Sequence, residues 1–539
     1  MAVLPLIREF KGKQLAMNDK IFVVDTTLRD GAQSANISFS VEDKVKILNL
    51  LDSVGVDFAE AGYPAAQQKD SELFTRIKSG AVRFEHLKPI AFAATCREGK
   101  RACEDVDFCR AIELCDEYLT VCGKASDEQV FDILKTTLDE NLRMIKDSVS
   151  YAVSRGKHVI FDCEHFFDGF IHNEQYAMSA AKAAAEAGAE CIVLCDTNGG
   201  MMPEQIKVIV SRVKREVGCR IGIHCHNDSG LAVANTIAAV NYGASDIQGT
   251  FCGIGERCGN TNLCTVIPDL QIKLGYNLLP QQKLRMLAPT ARAIADIANI
   301  LFDERSPYVG KYAFSHKAGS HIDGETKAIR AFEHCDPSDV GNGTHLLISE
   351  QSGRSAVRAR IAAMYPSITR DDKRVAAVLE RIKSAEYRGC QYEDADGSLE
   401  LLIAEEFGQR KSFFDIVDFK IMLGNPSIDA IQSCVVLKLR VGDDFVFAAA
   451  EGDGPVNAMD KALRDGLKRF YPELSGMRLV DYKVRVIDSS AATAALVRVS
   501  IESADDRHSW RTVGVSTDLI KASWRALCDS VEYKLSMHK

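Results

Sequence analysis

The stretch Ile21-Phe22-Val23-Val24-Asp25-Thr26-Thr27-Leu28-Arg29-Asp30-Gly31-Ala32-Gln33 runs from an apolar, β-branched segment into an Arg-Asp pair and a glycine. Its first four residues read as a buried strand, because parallel strands are covered on both faces. An arginine and an aspartate thrown off the carboxyl end of that strand bring a cation and a carboxylate to one point of a rim. Strand-like segments recur at residues 57–63, 89–95, 118–123, 158–166, 191–197, 220–227 and 246–251, and amphipathic or Ala-rich stretches such as 41–54, 132–154, 174–187 and 203–217 run between them. Eight strands alternating with helices over about 250 residues is the count of a (β/α)8 TIM barrel. A doubly wound open sheet alternates in the same way, and periodicity does not separate the two. The polar residues do. Arg29, Asp30, Glu60, Glu164, Thr197, His224, His226 and Asn260 each fall at or just beyond a strand's carboxyl end, where a barrel builds its site.

The whole chain has 539 residues, too many for one core, so a large domain with smaller ones is expected. It is 46% hydrophobic and 26% charged, ordinary for a globular protein. With a net charge of -9 and no dense Lys/Arg block, nucleic acid is excluded as a partner. No apolar run approaches the roughly 20 residues of a membrane span, and residues 1–20 lack an apolar leader, which points to the cytoplasm. Seventeen cysteines lie scattered without a CxxC pair, the pattern of free thiols in a reducing compartment.

Past the barrel, residues 278–414 read as mainly helical with loops. The final portion repeats itself. Strand patterns at 419–423, 433–441 and 445–450 lead into a helix at 456–470, and strand patterns at 479–487, 496–502 and 510–515 lead into a helix at 518–535. Two βββα units in tandem make a pseudo-symmetric α+β module. The expected domains are therefore a barrel at 1–277, a helical linker region at 278–414 and a C-terminal α+β domain at 415–539.

In His224-Cys225-His226-Asn227-Asp228 the two histidines are separated by one residue, so both imidazoles project to the same side of a strand. Core or surface histidines explain most such pairs when they stand alone. Joined to Asp30 and to Asn260 of Gly253-Ile254-Gly255-Glu256-Arg257-Cys258-Gly259-Asn260, they give two imidazoles, a carboxylate and an amide. That donor set suits Mn, Zn, Co or Mg with positions left open for a substrate. Arg29 then polarises a carbonyl, or else it pairs with a structural carboxylate; Glu60 is its expected partner. Thr197 either donates its hydroxyl to a carboxylate or caps the next helix. Glu164 is either an acid–base group or an ordinary helix-start acid. The glycines at 253, 255 and 259 shape a tight loop rather than a phosphate cradle.

Several separated motifs carry a resemblance that spans essentially the whole chain. Leu28-Arg29-Asp30-Gly31-x-Gln33 with Lys44 beyond it, His224-x-His226-Asn227-Asp228, the 253–260 loop, Ser315-His316-Lys317-Ala318-Gly319-Ser320-His321 and Gly452-Asp453-Gly454-Pro455 resemble the family of 2-isopropylmalate, homocitrate and citramalate synthases. Residues 161–169, Asp196-Thr197-Asn198-Gly199-Gly200 and 349–355 most resemble its (R)-citramalate synthase branch. The resemblance implies a Claisen-type condensation of acetyl-CoA with a 2-oxo acid, pyruvate by preference, followed by thioester hydrolysis. It implies a divalent metal on Asp30, His224, His226 and Asn260, and substrate contacts from Arg29, Gln33, Glu60 and Thr197. It further implies catalytic roles for Arg29, Glu164 and His321, the last reaching in from the partner subunit of a homodimer. The C-terminal repeat resembles a regulatory domain that binds an end-product amino acid, here isoleucine.

The chain departs from the family at Phe332, where a tyrosine is common, and at Tyr63 and Ala125, where the branch usually carries tryptophan. These departures bear on which 2-oxo acid is taken, with 2-oxoisovalerate and 2-oxoglutarate as alternatives. A carbon–carbon lyase on the same barrel and a non-catalytic sensing subunit are the other readings. The C-terminal repeat counts against the first, and five intact polar groups at the rim count against the second.

Overall fold

The computed structural model describes residues 20–316, 332–369, 371–424, 432–488, 494–506 and 508–537. Two compact units divide the chain: Met1–Phe314 with Cys335–Thr344, and Ser315–His334 with His345–Lys539.

In the first unit eight parallel strands follow one another around a closed barrel: β1 Phe22–Asp25, β2 Phe58–Gly62, β3 Lys88–Ala94, β4 Tyr118–Lys124, β5 His158–Glu164, β6 Cys191–Asp196, β7 Arg220–Cys225 and β8 Asp246–Gly249. β8 pairs with β1, a contact that an open doubly wound sheet lacks, so the TIM barrel is the fold. Several strands end earlier than their sequence suggests. β1 stops at Asp25 because Thr27 folds back, its amide and hydroxyl donating to the Asp25 carboxylate at 3.0 and 2.8 Å. β5 stops at Glu164 because His165 adopts a left-handed backbone, φ 58°, from which the short helix Phe166–His172 departs. Likewise the helix expected from 132 begins only at Leu138, where Thr137 accepts from the Glu140 amide; Lys135, at φ 57°, ends the preceding turn Gln129–Leu134.

Strand side chains alternate, so each inward face can change character along its length. Val24, Phe58, Ile90, Ile160, Val193 and Cys195 fill the lumen as one buried cluster, which makes it a packed core rather than a pore. Two residues further along the same faces come Glu60 after Phe58, and Asp162 then Glu164 after Ile160. The outer faces pack against helices. In helix Val41–Val54, Ser40 and Asp43 close a capping box and Ile47, Leu48, Leu51 and Val54 are fully buried, each worth about 1.5–3 kcal/mol of transfer free energy.

Lys44 lies on that same buried stripe. Its ammonium donates to the carbonyls of Leu28 at 3.1 Å and Ala61 at 3.0 Å and pairs with Asp70 at 2.5 Å. It thereby fastens the peptide next to Arg29 to the peptide next to Glu60. Gly62 beside it has φ 147°, and a Cβ there would meet the Asp70 carboxylate at 2.2 Å, so only glycine fits.

The second unit holds helices Arg354–Met364, Lys373–Tyr387 and Asp396–Glu406 and two antiparallel three-stranded sheets. Strands Asp415–Gly424, Gln432–Val441 and Asp444–Gly452 precede helix Pro455–Leu467; strands Arg478–Val486, Val497–Ala504 and Ser509–Ser516 precede helix Leu519–Ser536. The βββα repeat is present as expected. Val435, Leu437, Leu439 and Val446 share one buried cluster with Met459, Leu463 and Leu467. No described helix is long and apolar enough to cross a membrane.

Candidate active site and metal centre

The turn after β1 sets the site's first two groups. The amides of Arg29, Asp30 and Gly31 all donate to the Thr26 carbonyl, at 3.1, 2.9 and 3.0 Å, which holds the two side chains at fixed angles to one another. His224 is the last but one residue of β7, and His226 follows the strand's end with Cys225 turned away between them. Asp30 Oδ2 lies 3.2 Å from His224 Nε2 and 3.8 Å from His226 Nε2, and the two imidazole nitrogens are 3.4 Å apart. One candidate ligand atom from each of these three residues lies within 4.8 Å of the others, in the single such group among the described residues. All three are buried.

Asn260 is joined to His226 by an antiparallel bridge and donates its Nδ2 to Asp30 Oδ2 at 2.8 Å. Its carbonyl oxygen is buried without a hydrogen-bond partner and lies against Gly255, where a Cβ would stand only 2.1 Å away. The glycine loop is thus shaped by the close approach of Asn260.

Burial opposes the charge on Asp30, yet Arg29 and the hydrogen bond from His224 hold its carboxyl well below the usual range. Burial also works against a proton on His224, and the hydrogen bond to Asp30 outweighs it, raising the imidazole. Burial and the neighbouring His224 push His226 down to about 4, so it is neutral at pH 7. An anionic carboxylate and two imidazoles, one of them neutral, meet at one buried point and form a donor set that demands positive charge; the Asn260 amide faces Asp30 with its nitrogen and would offer its oxygen on a half-turn. A divalent cation meets that demand with the nitrogen and oxygen donors it prefers, so the residues present fit the group.

Arg29 donates from Nε to Glu60 Oε2 at 2.7 Å, stands 3.6 Å from Asp30 Oδ2 and lies over the Phe92 ring at 4.4 Å. The inward Arg29–Glu60 pair is therefore present. Tyr63 meets Phe92 edge-on at 5.5 Å and extends the same wall. The Thr197 hydroxyl accepts from the His165 amide at 2.8 Å and does not cap a helix; the residue before helix Pro203–Glu216 is Met202. Glu164 pairs with Lys124 at 2.5 Å and is 30% exposed, open to a substrate. Gln33 sits in the turn after Asp30 with its side chain exposed. His321 lies outside the described residues. Phe332, in the second unit, is 47% exposed with its ring 6.5 Å from that of His316.

Three polar neighbours were absent from the sequence-based set. Asp162 lies two residues before Glu164, on the same strand face, which strand alternation could have flagged. Gln248 stands between Ile247 and Gly249 inside a strand, where a polar residue is out of place. Lys124 follows Gly123 at the end of β4.

The HMGL-like family model matches residues 20–294, a homocitrate synthase post-HMGL domain-like model residues 308–389, and the LeuA allosteric (dimerisation) domain model residues 393–535. Three curated relatives align over 96% of this chain: the (R)-citramalate synthases of Aquifex aeolicus, 42% identical over 98% of its own length, of Streptomyces coelicolor, 41% over 97%, and of Synechocystis, 40% over 96%. A barrel with a polar rim, a helical connector and a βββα repeat follow one another in the order these family models match. The chain belongs to the (R)-citramalate synthase family.

Proposed function

We propose that the protein condenses acetyl-CoA with pyruvate and hydrolyses the resulting thioester, giving (R)-citramalate and CoA. The observation that carries this reading is the convergence of Arg29, Asp30, His224 and His226 at one rim of a barrel, in a chain 40–42% identical to (R)-citramalate synthases over 96% of its length. Residues 1–277 would serve catalysis, 278–414 connection and 415–539 regulation.

A divalent cation, Mn, Mg, Zn or Co, supplies Lewis-acid polarisation of the acceptor's keto group when bound; Asp30, His224 and His226 would hold it, and Asn260 would complete the set with its carbonyl oxygen. Arg29, fixed by Glu60 and Phe92, presents its remaining N–H groups to the keto oxygen as negative charge grows there. Thr197 donates its hydroxyl proton to the acceptor's carboxylate, and Gln33 adds an amide contact. Glu164, paired with Lys124, removes a proton from the acetyl-CoA methyl group. The resulting carbanion attacks the keto carbon, a carbon–carbon bond forms, and the oxygen takes up a proton to become the tertiary hydroxyl. Water then adds to the thioester carbonyl, the carbon–sulfur bond breaks, and CoA leaves as the thiol. His321 of the partner subunit is the second member of this relay on the family resemblance.

The C-terminal repeat is assigned to dimerisation and to feedback by an amino acid, isoleucine. A hollow of about 1170 Å³ in the second unit, lined among others by Arg388, Phe419, Trp524, Arg525 and Asp529, offers cations for a carboxylate, an acid for an ammonium group and aromatic walls for a branched side chain. Tyr63 favours a second reading in which the acceptor is another 2-oxo acid such as 2-oxoisovalerate, since one methylene of pocket fit is worth only about 1–3 kcal/mol. Acetyl-CoA-dependent thiol release with Mn or Mg, across pyruvate, 2-oxobutyrate, 2-oxoisovalerate and 2-oxoglutarate, tests the assignment. Fastest release is expected with pyruvate. A different best acceptor would replace the substrate and keep the chemistry, while no release from metal-loaded protein would overturn both.

A further inference from the structure

Two buried polar side chains in the barrel lumen have no part in the condensation as described. Gln248 on β8 is fully buried and stands in register with His224 on β7. Its Oε1 lies 2.9 Å from His224 Nδ1, and its Nε2 donates to Asp162 Oδ1 on β5 at 3.1 Å. We propose that Asp162 and Gln248 are positioning residues that lock His224 in the one tautomer able to bind a cation. The inference rests on the metal reading of the site and adds the groups that make it work.

A primary amide has two ends of nearly the same shape, and what one end meets decides which way it turns. Burial and Glu60 raise the Asp162 carboxyl to about 7, whereas Arg29, His224 and the Gln248 hydrogen bond favour its ionised form, and an ionised carboxylate oxygen only accepts hydrogen bonds. Asp162 therefore draws the NH2 end of Gln248 and leaves the carbonyl facing His224. That carbonyl also only accepts, so His224 Nδ1 must carry the hydrogen. Nε2, 3.2 Å from Asp30 and 3.4 Å from His226, is then the nitrogen whose lone pair a cation would take, in place of the proton it holds toward Asp30 without one. A reversed amide would put two hydrogens against Nδ1, move the imidazole hydrogen to Nε2 and direct a donor into the ligand set. Groups that hold a metal-binding histidine in this way commonly affect metal affinity by about 10- to 100-fold.

Full-length protein stripped by chelator and titrated with Mn2+ in equilibrium dialysis tests the chain of contacts. Asp162→Asn is isosteric and replaces an oxygen that only accepts by an amide that can present either end, so the Gln248 amide is no longer held one way; its Mn2+ Kd should rise about 10- to 100-fold. Gln248→Met should do the same. In the double variant Asp162→Asn with Gln248→Glu, the new amide donates to the new carboxylate, whose other oxygen accepts from His224 Nδ1, and affinity should return to within a few fold of wild type. A merely structural role gives no such recovery. Unchanged Kd in Asp162→Asn, or a double variant that binds no better than it, overturns the inference. The wild type and His224→Ala separate the two levels. If the wild type takes up no stoichiometric Mn2+, or His224→Ala binds as tightly, the metal reading fails and this inference with it. If both behave as expected while Asp162→Asn is unmoved, only the inference falls.

Discussion

The barrel rim and the C-terminal repeat break the usual sorting of polar and apolar groups in opposite directions. At the rim Asp30, Glu60, Asp162, His224, His226, Gln248 and Asn260 are buried. In the repeat Phe447 is 72% exposed, Leu423 66% and Phe445 56%. Buried polar groups and exposed large apolar ones are the two departures that carry information. The rim partly satisfies itself, through Arg29 with Glu60 and through Asp162, Gln248 and His224, and single buried atoms are left over: Glu60 Oε1, His226 Nδ1 and the Asn260 oxygen. The repeat leaves area rather than atoms unsatisfied: Val446 is buried while Phe445 and Phe447 alternate outward, with Lys438 4.8 and 5.4 Å from their rings. A second copy of the chain covers area. One site should therefore fail on the loss of a single atom, and the other only on the loss of a patch.

The largest effect should come from the rim. Asp30→Ala or His226→Ala should lower kcat/KM by about a thousandfold or more, some 4 kcal/mol of transition-state stabilisation, and abolish stoichiometric Mn2+ uptake while far-UV circular dichroism stays native. Activity within tenfold of wild type at stoichiometric metal would remove these residues from the ligand set. Arg29→Lys separates charge from shape. It keeps a cation and loses the fork held by Glu60 and the stack on Phe92, so a loss of about a hundredfold with unchanged metal affinity is expected.

The repeat should yield more gradually. Phe447→Asp alone should raise the dimer dissociation constant by about tenfold, and Phe445→Asp with Phe447→Asp by about a hundredfold or more, as read by sedimentation velocity. A double variant that stays dimeric at the wild-type dissociation constant would place the interface on another surface. Trp524→Ala, inside the hollow, should raise the isoleucine concentration for half inhibition about tenfold and leave uninhibited turnover in place. An unchanged inhibition curve would remove that hollow as the effector site.

Much of the rim was legible because a barrel strand writes its polarity along one axis: apolar at the start, charged at the carboxyl end. Arg29-Asp30 and His224-x-His226 stand out against that pattern, and the β1–β8 order follows from the alternation. The link from Asp162 to Gln248 was not legible, since it crosses the lumen between strands that are not neighbours. Nor was the pairing of Glu164 with Lys124, which lies forty residues earlier on β4. Helix Gln68–Lys78 buries only Asp70, Leu73, Phe74 and Ile77, too few apolar positions to announce itself. In the repeat, alternation gave the strands but could not say which face a helix covers and which it leaves to a partner.

Phe332 tests where the dividing line runs. Its ring is half exposed and belongs to the second unit, yet the family resemblance puts a phenol there in the proton relay. Phe332→Tyr adds a hydroxyl to the rim of a ring that already meets water, so it buries no polar atom and removes no contact. Stability should move by no more than about 0.5 kcal/mol and turnover by no more than about twofold, the range of an exposed substitution. A clear rise in kcat with an unchanged KM would mean that the relay had lacked a donor, and that Glu164 had been working without one. A loss beyond tenfold would mean that this ring is packed in the assembled enzyme and answers to shape as the rim does.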